Sequence, residues 1–520
     1  MSLFQLAVYG AVCSAVYYLI PRKVRWVLLL AASLGFYVSR AAACLPFILL
    51  TALSIWGSAC RIGHITETCE AQIKEQKEHL PSSEKKRLRG EAKKRKRVWM
   101  LAALILNFAI LAVLKYTDDI CGIIGHSPMG LLLPLGISFY TFQSTGYLLD
   151  VYNGKAVPER NPLKFCLFVS FFPQLLQGPI ARYDQLAGQL TEPHDFDILA
   201  IRRGTVLMFW GLLKKLVIAD RVLPLVDAVF SAEAGSMGGS AAVIGVLAYS
   251  LQQYCDFSGG IDLVTGIAEL FGIHLAPNFR RPYFAVSLAD FWRRWHISLG
   301  TWMRDYVFYP FALTRPMTKL SKAAKKHFGT DFARALPAAL GNILVFFLVG
   351  IWHGATSNYV LWGLYNGVIL AVSALLEPSY KRFSERHGAL VSSGGFHVIR
   401  VLRTFIIVNI GWFFDRCAHA SDAVRMMGSV LTDLRPQQIS MEWLAQCGLP
   451  SPDVIVLAVF TLLLFGISLA QERGARISDA IVRLRLPVRW LLLYALILSV
   501  VIFGVWGSGF NEASFIYYQF

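Results

Sequence analysis

The chain has 520 residues, of which 55% are hydrophobic and only 16% charged, and its mean hydropathy is +0.51. This composition excludes a soluble protein with a hydrated surface and indicates a polytopic membrane protein. The formal net charge of +17 would suit a nucleic-acid-binding protein, but the basic residues cluster between apolar segments. That is the positive-inside pattern of membrane topology, so we expect membrane lipids and no nucleic acid as partners.

The N-terminal region, residues 1–60, contains three apolar segments, 3–20, 24–38 and 42–59. Each is close to the roughly 17 to 25 residues that a membrane-spanning helix needs. Arg22, Lys23 and Arg25 follow the first segment, which places the N-terminus outside the cell and residues 21–25 inside. Three crossings then leave residue 60 on the cytoplasmic side.

A basic segment, residues 61–97, follows the third span and contains EKKRLRGEAKKRKR at 84–97. We interpret it as a solvated cytoplasmic helix that fixes the topology and contacts anionic lipid headgroups.

The later apolar segments continue the alternation of inside and outside. Basic loops at 315–334, 377–403 and 472–489 are predicted to be cytoplasmic, and the C-terminus is predicted to be extracytoplasmic. The number of crossings within residues 164–273 stays open. The other predicted spans are 98–115, 129–147, 337–352, 358–376, 401–414, 454–470 and 490–506.

Residues 164–273 contain polar groups inside apolar sequence. FFPQLLQGPIAR (171–182) is interrupted by prolines and a glycine, which predicts a broken or re-entrant segment. Lys214 and Lys215 lie in the middle of an apolar helix and are expected to snorkel to an interface. Asp256 and Asp262 flank a glycine pair and need cationic partners, for which nearby arginines are the expected source.

Two Trp-His pairs stand out, Trp295-His296 and Trp352-His353. If 290–305 is one helix, His296 shares a face with the tryptophans, and Asp290 and Arg294 form an i, i+4 pair. Ionisable side chains at membrane depth are costly, so they mark candidate functional sites.

The sequence lacks a Walker-type phosphate loop, a G-x-S-x-G elbow and an HExxH motif. The two histidines have no third metal ligand in the pattern, and the nine cysteines have no zinc-type spacing, so we expect neither a metal nor a disulfide framework. A neutral imidazole can instead act as a general base toward a hydroxyl that attacks an acyl carbon. A structural histidine that only donates to a backbone carbonyl is the alternative.

Several long motifs resemble the membrane-bound O-acyltransferase family, in particular its bacterial branch that acts in alginate O-acetylation and teichoic acid D-alanylation. The resemblance covers residues from about 100 to 375. Its motifs are PLGISFYTFQ (134–143), FFPQLLQGPIAR (171–182), KKLVIAD (214–220), YCDFSGGIDL (254–263), NFRRPY (278–283), FWRRWHISLGTWMRDYVF (291–308) and VGIWHGATSNYVLWGLYNG (349–367).

The resemblance implies an all-α bundle of about twelve transmembrane helices with re-entrant or interfacial helices around a central funnel. It identifies His353 as the catalytic histidine and His296 as the second histidine. It also implies that no cofactor is bound and that the acyl donor is a thioester, acetyl-CoA or a carrier-protein thioester, presented from the cytoplasm. Residues 98–376 would be the catalytic core, and residues 377–520 C-terminal transmembrane helices.

The last residues, FNEASFIYYQF (510–520), contain a Phe-x-Tyr-x-x-Phe motif. Composition alone favours an aromatic membrane-interface anchor. The resemblance instead implies that Tyr517 accepts the acyl group as an ester.

The predicted substrate-binding residues surround the two histidines. Guanidinium groups suit phosphate contacts, which points to Arg293, Arg294 and Arg304 for the donor. The other predicted substrate-binding residues are Trp295, Trp352, Asp290, Arg182 and Asn278.

Together these features predict an enzyme of a bacterial cytoplasmic membrane that O-acylates, most simply O-acetylates, an extracellular or cell-wall polysaccharide. The expected partners are that acceptor and an extracytoplasmic acyltransferase, for which the external loop 416–450 is a candidate docking surface. D-alanyl transfer to teichoic acid, acylation of a lipid and a non-enzymatic transporter are the alternatives. A transporter predicts an internal repeat, which the sequence does not show.

Overall fold

The computed structural model describes residues 3–75 and 81–506. Within these ranges the regular structure is helical and no strand occurs, which confirms the all-α class. The chain divides into two compact units, one formed by Met1–Gly204 and Ile267–Ala276 and the other by Thr205–Gly266 and Pro277–Phe520.

The helices of the first unit are mostly long and apolar. They are α1 (Leu3–Leu19), α2 (Arg25–Ala41), α3 (Leu45–Glu75), α4 (Ser82–Ile123), α5 (Ile137–Tyr152), α6 (Pro162–Ser170), α7 (Phe172–Gln177), α8 (Tyr183–Thr191) and the first part of α9 (Ile198–Leu212).

The second unit contains the rest of α9 and a π-helical segment, Leu213–Ala219. Its first helices are α10 (Asp220–Ser231), α11 (Gly238–Glu269, up to Gly266), α12 (Leu288–Arg294), α13 (Ile297–Met303), α14 (Tyr309–Ala312), α15 (Arg315–His353) and α16 (Ser357–Leu375). They are followed by α17 (Glu377–Arg386), α18 (Gly388–Val391), α19 (Gly394–Arg416), α20 (Ala420–Thr432), α21 (Met441–Gln446), α22 (Ser451–Glu472), α23 (Ile477–Arg483) and α24 (Leu486–Phe503). Non-helical Gly329 (φ 84°, ψ 176°) divides α15 into two parts.

Seven helical segments in the described ranges are long and apolar enough to cross a membrane, which fits the predicted polytopic membrane protein. The predicted total of about twelve crossings stays a prediction. The seven segments are Arg22–Glu75, Ser82–Gly122, Arg315–His353, Ser357–Leu375, Gly394–Arg416, Ser451–Glu472 and Leu486–Phe503, and a shorter apolar helix covers Phe4–Leu19.

The predicted broken segment of the first unit is present. Helix α6 ends at Ser170, α7 covers only six residues, and residues 178–182 are not helical. The amide of Gln174 donates to Pro179 O and to Gln143 Oε1, while Gln143 Nε2 donates to Phe168 O. Buried side-chain amides therefore satisfy carbonyl groups near the break, as a break in a buried apolar segment requires.

The two mid-helix lysines of the second unit do not snorkel, contrary to the sequence-based interpretation. Lys214 and Lys215 are each 3% exposed and lie in the π-helical segment. Lys214 Nζ lies 2.8 Å from Asp262 Oδ2, and Lys215 pairs with Asp256 and, at 2.8 Å, with Asp220. The partners of the aspartates are therefore lysines and not arginines, because the π-helical register turns both ammonium groups toward α11 and α10.

Glycines allow the approach of α9 to α11 that this lysine–aspartate cluster needs. A Cβ on Gly211 would lie 2.4 Å from Gly259 O, and a Cβ on Gly259 would lie 2.8 Å from Gly211 O. Only hydrogen at both positions lets the two backbones come this close, which gives Gly259 of the SGGID sequence a packing role.

A similar contact joins α15 to α16. A Cβ on Gly363 would lie 2.4 Å from Phe346 O and 3.1 Å from Gly350 Cα, and a Cβ on Gly350 would lie 2.5 Å from Tyr359 O. These contacts involve backbone atoms that cannot rotate away. The close approach of α15 to α16 fixes the C-terminal end of α15, where His353 lies.

We expect Gly363→Ala to destabilise the protein by about 1 to 3 kcal/mol, because the added methyl group forces α15 and α16 apart. Gly466→Ala in α22 is the matched control, since nothing lies within 4 Å of its Cβ position. Thermal unfolding in detergent measures both variants. Equal melting temperatures for the two would contradict the packing role.

We expect Lys215→Met to cost about 3 to 5 kcal/mol, because it leaves the buried carboxylates of Asp220 and Asp256 without their common cation. The double change Lys215→Met/Asp256→Leu should recover part of this loss. Lys322→Met, at an exposed position of α15, is the control and should change stability by less than about 0.5 kcal/mol. An unchanged melting temperature for Lys215→Met would show that the lysine–aspartate cluster does not stabilise the folded protein.

Candidate active site

The chain bends sharply at Trp295 and His296, so residues 290–305 do not form the single helix that the sequence analysis considered. Helix α12 ends at Arg294 and α13 begins at Ile297. Between them His296 adopts the left-handed conformation (φ 46°, ψ 53°), which is uncommon for a residue with a Cβ. The predicted pair of Asp290 and Arg294 does form within α12, at 3.1 Å.

Two backbone hydrogen bonds hold the bend. Arg280 N donates to Arg294 O over 2.8 Å, and Ile297 N donates to Asn278 O over 3.0 Å. The residues on either side of His296 are thus tied to a neighbouring extended segment, residues 278–280. Such external restraint is what lets a strained backbone conformation persist, and strain of this kind clusters at functional sites.

The side chain of Asn278 determines how the His296 ring is held. Asn278 Oδ1 accepts from Ser298 N (3.0 Å) and Ser298 Oγ (2.9 Å), and it lies 3.3 Å from His296 Nδ1. A backbone N–H can only donate, so the Asn278 atom facing it is the amide oxygen. Nδ1 of a neutral His296 therefore carries the proton, and Nε2 carries the lone pair.

The surroundings of His296 favour the neutral ring. The side chain is 4% exposed, and the ring of Phe257 packs edge-on against it at a centroid distance of 4.9 Å. Burial lowers the pKa of His296 to about 3, because a charged imidazolium would lose its hydration. The ring is consequently uncharged at neutral pH.

His353 is the last residue of α15 and lies among aromatic rings. Its ring centroid is 4.9 Å from that of Trp362 and 5.9 Å from that of Tyr359. Gly354 follows directly, and a Cβ there would lie 2.6 Å from a Tyr359 ring atom. The glycine of the WHG sequence thus allows Tyr359 to lie beside the end of the helix.

A single large cavity of the second unit is lined by both histidines. Its volume is about 1430 Å³, larger than the 300–1,000 Å³ typical of sites for drug-sized ligands. The predicted residues that line this cavity are His353, His296, Trp295, Arg293 and Arg304. The sequence motifs 291–308 and 349–367 therefore contribute to one site, as predicted from the two Trp-His pairs.

Other predicted residues support this site without lining the cavity. The Trp352 ring packs against both imidazoles, at centroid distances of 6.3 Å from His296 and 5.0 Å from His353. Arg294 pairs with Asp290 and, at 2.8 Å, with Glu472 Oε1. Arg294, Asp290 and Asn278 do not line the cavity, and they hold the bend through these ion pairs and through the hydrogen bonds of Asn278.

Two predicted residues cannot be placed at this cavity. Arg182 belongs to the first unit, where its guanidinium lies 3.7 Å from Asp150 Oδ2. Tyr517 lies outside the described residues.

The structure adds site residues that the sequence did not identify. Trp362 lines the cavity against His353, and buried Gln253 brings a polar side chain into it from α11. Trp292 Nε1 donates to Asn366 Oδ1 over 3.2 Å, which ties α12 to α16. Trp362 and Asn366 both lie in α16 within the motif 349–367, and their i, i+4 spacing, which puts them on one face of the helix, was the available signal.

The burial of His296 makes stability depend on pH. An unfolded histidine takes up its proton near pH 6.5, whereas folded His296 does so only near pH 3. The unfolded state therefore binds more protons between these values, and the free energy of unfolding falls as the pH falls.

We expect the melting temperature of the wild type to decrease between pH 7.5 and pH 5.0, and His296→Asn to reduce this decrease. His327→Asn, at an exposed position of α15, is the control, and its melting temperature should decrease with pH as much as that of the wild type. If the melting temperatures of His296→Asn and the wild type decrease equally with pH, His296 is not buried in its neutral form.

Comparisons with known proteins agree with this site. The model of the membrane-bound O-acyltransferase family (MBOAT) matches residues 159–396, a range that contains both histidines. The chain is 33% identical over 380 residues to the probable alginate O-acetylase of Pseudomonas syringae pv. tomato, covering 71% of this chain and 67% of that protein.

Relatives with other substrates also match. The peptidoglycan O-acetyltransferase of Helicobacter pylori is 32% identical over 364 residues, or 64% of each chain. The teichoic acid D-alanyltransferase of Bacillus subtilis is 28% identical over 297 residues, covering 55% of this chain and 70% of that protein. With two buried histidines in one cavity and these matches across the chain, the protein belongs to the membrane-bound O-acyltransferase family and is an acyltransferase of the membrane.

Proposed function

We propose that this protein moves an acyl group, most simply acetyl, from a cytoplasmic thioester across the bacterial cytoplasmic membrane for O-acylation of an extracellular or cell-wall polysaccharide. The observation that carries the proposal is the single cavity lined by His296 and His353. Both termini of the chain are outside in this proposal, as the basic loops favour.

His353 acts as the general base. It takes the proton of the attacking hydroxyl as the hydroxyl oxygen bonds to the acyl carbon. When the adduct collapses, the carbon–sulfur bond breaks and the proton passes to the departing thiolate. An ester and a free thiol are formed, and His353 is neutral again.

His296 is a positioning partner in this scheme. Because Asn278 holds its Nδ1–H, the Nε2 lone pair points in a fixed direction and can accept from the hydroxyl of the acceptor. Burial prevents the ring from gaining a charge at neutral pH, so this acceptor is not lost in mildly acidic conditions.

The thioester binds at the basic part of the cavity. Arg293 and Arg304 line it, and their side chains are 71% and 55% exposed, so they are accessible to phosphate groups of a donor. This arrangement supports acetyl-CoA or a carrier-protein thioester as donor, with no bound cofactor.

Tyr517 is the proposed first acceptor. A tyrosine hydroxyl with a pKa near 10 is a weak nucleophile that needs a base such as His353. The acyl-tyrosine would then pass its group to an extracytoplasmic acyltransferase, which completes transfer to the polysaccharide.

D-alanyl transfer to teichoic acid is the second candidate. The Bacillus subtilis relative, of which 70% is covered, is the observation that favours it. The higher identity to the alginate and peptidoglycan O-acetylating relatives supports acetyl over D-alanyl.

The purified protein should become labelled on Tyr517 when it is incubated with radiolabelled acetyl-CoA, and the label should be absent in His353→Ala and Tyr517→Phe. Loss of the base should lower the rate by about 10² to 10⁴. Mass spectrometry of the C-terminal peptide locates the acetyl group.

Tyr518→Phe and His327→Ala are the matched controls and should keep the label. Transfer of acetyl by a wild-type protein that never carries label would exclude Tyr517 as relay and favour direct transfer to an acceptor. If acetyl-CoA is inert and D-alanyl carrier thioester is consumed, the second candidate function replaces the first.

A further inference from the structure

The first part of α15, residues 315–328, is a basic helix that packs against the second part. Residues 315–334, predicted as a cytoplasmic basic loop, are helical on both sides of Gly329. Across this break Ser321 Oγ donates to Ala333 O over 2.5 Å, and Ala324 and Ala333 are both buried. Residues 315–328 are therefore held next to the predicted span 337–352, at its cytoplasmic end.

Four cations form a stripe on the first part of α15. Their intervals of four, three and four residues place them on one side of the helix, about half a turn away from Ser321 and Ala324. All four side chains are exposed, and residues 315–328 contain neither Asp nor Glu. The cations of this stripe are Arg315, Lys319, Lys322 and Lys326.

The stripe has no counter-charge within the part of the chain that the structure describes. None of its four cations forms an ion pair with a described residue. Like charges three or four residues apart repel one another and destabilise a helix. A helix with this stripe is therefore stabilised by anions from outside the chain.

Large apolar side chains are exposed on the same segment. Leu313, just before α15, is 78% exposed, and Phe328 and Leu320 are 67% and 41% exposed. An acidic protein would neutralise the cations without covering these apolar groups. The headgroup region of a membrane accommodates both, because phosphates bind the cations while apolar side chains enter the acyl boundary. The position of the helix beside a predicted span favours the membrane for the same reason.

We propose that residues 313–328 form an interfacial anchor that binds anionic phospholipid headgroups of the cytoplasmic leaflet. The cations of the stripe contact the lipid phosphates, and Leu320 and Phe328 insert beside them. Because α15 ends at His353, the anchor also fixes the depth of this histidine in the membrane. The anchor is independent of the acyl donor and acceptor.

The test uses the full-length protein in two kinds of lipid nanodisc, one of phosphatidylcholine and one of phosphatidylcholine mixed with phosphatidylglycerol. Trypsin cleavage after Lys325, followed by mass spectrometry, measures how well the helix is covered. Cleavage should be about tenfold slower in the anionic discs, and about 0.5 M NaCl should remove most of this difference because salt screens the headgroup charge. Cleavage after Arg435, in the external loop, is the internal reference for trypsin activity in each disc.

Lys319→Gln/Lys322→Gln/Lys326→Gln should lose the difference between the two discs, while Lys325 remains as the cleavage site. Because the three side chains are exposed, the melting temperature of this variant in detergent should match that of the wild type. Lys93→Gln/Lys94→Gln/Arg95→Gln is the matched control. It removes the same charge from exposed positions of α4 and should keep the difference.

Equal cleavage of the wild type in the two discs would overturn the proposal and leave the stripe to an acidic protein. If test and control variants lose the difference equally, only the net charge of the protein matters and the anchor is excluded. Slower cleavage in anionic discs that Lys319→Gln/Lys322→Gln/Lys326→Gln alone abolishes would establish the anchor.

Discussion

The bend at His296 is the constraint on which the candidate active site depends. The helix over residues 288–303 is interrupted at Trp295 and His296, and the imidazole of His296 lines a cavity that α15 and α16 also line. The hydrogen bonds from Arg280 N to Arg294 O and from Ile297 N to Asn278 O replace those that an unbroken helix would make. The left-handed backbone of His296 is therefore stabilised from outside the helix.

Ion pairs behind the bend hold the supporting segment in place. Glu472 at the end of α22 accepts from Arg281 Nε over 2.6 Å and from Arg294 over 2.8 Å. Arg281 is the other described residue with a Cβ and a positive φ, at 47°. His296 and Arg281 thus lie in one region in which the carboxylate of Glu472 pairs with Arg281 and Arg294. The three charged side chains are partly buried, and their pairing offsets the cost of that burial.

In the lysine–aspartate cluster between α9 and α11, buried charges are likewise paired with charges of opposite sign. Lys214 also donates to Ser258 Oγ over 2.9 Å and lies 5.9 Å from the centre of the Tyr254 ring. Tyr254 in turn packs against Trp295 at a centroid distance of 6.3 Å. Through Tyr254, the cluster therefore packs against Trp295 at the bend. This supporting role explains why charged residues occur in apolar sequence although they do not line the cavity.

The cavity combines groups with different chemical tasks. The two imidazoles and the indole rings surround one part, where proton transfer needs a site with little water. Arginines, a lysine and aromatic rings surround the other part.

The membrane class, the helical fold, the family resemblance and the two histidines could be predicted from the sequence, because they depend on hydropathy, charge clusters and local motifs. It also predicted the Asp290–Arg294 pair, which needs only helical spacing. The tertiary structure decided what the motifs do together: that Asn278 sets the His296 tautomer, that buried lysines and not arginines neutralise Asp256 and Asp262, and that residues 377–403 join the cavity. Those facts depend on contacts between segments far apart in the chain, on a π-helical register and on a bend that hydrogen bonds to residues 278–280 hold in place. None of these leaves a periodic signal in the sequence.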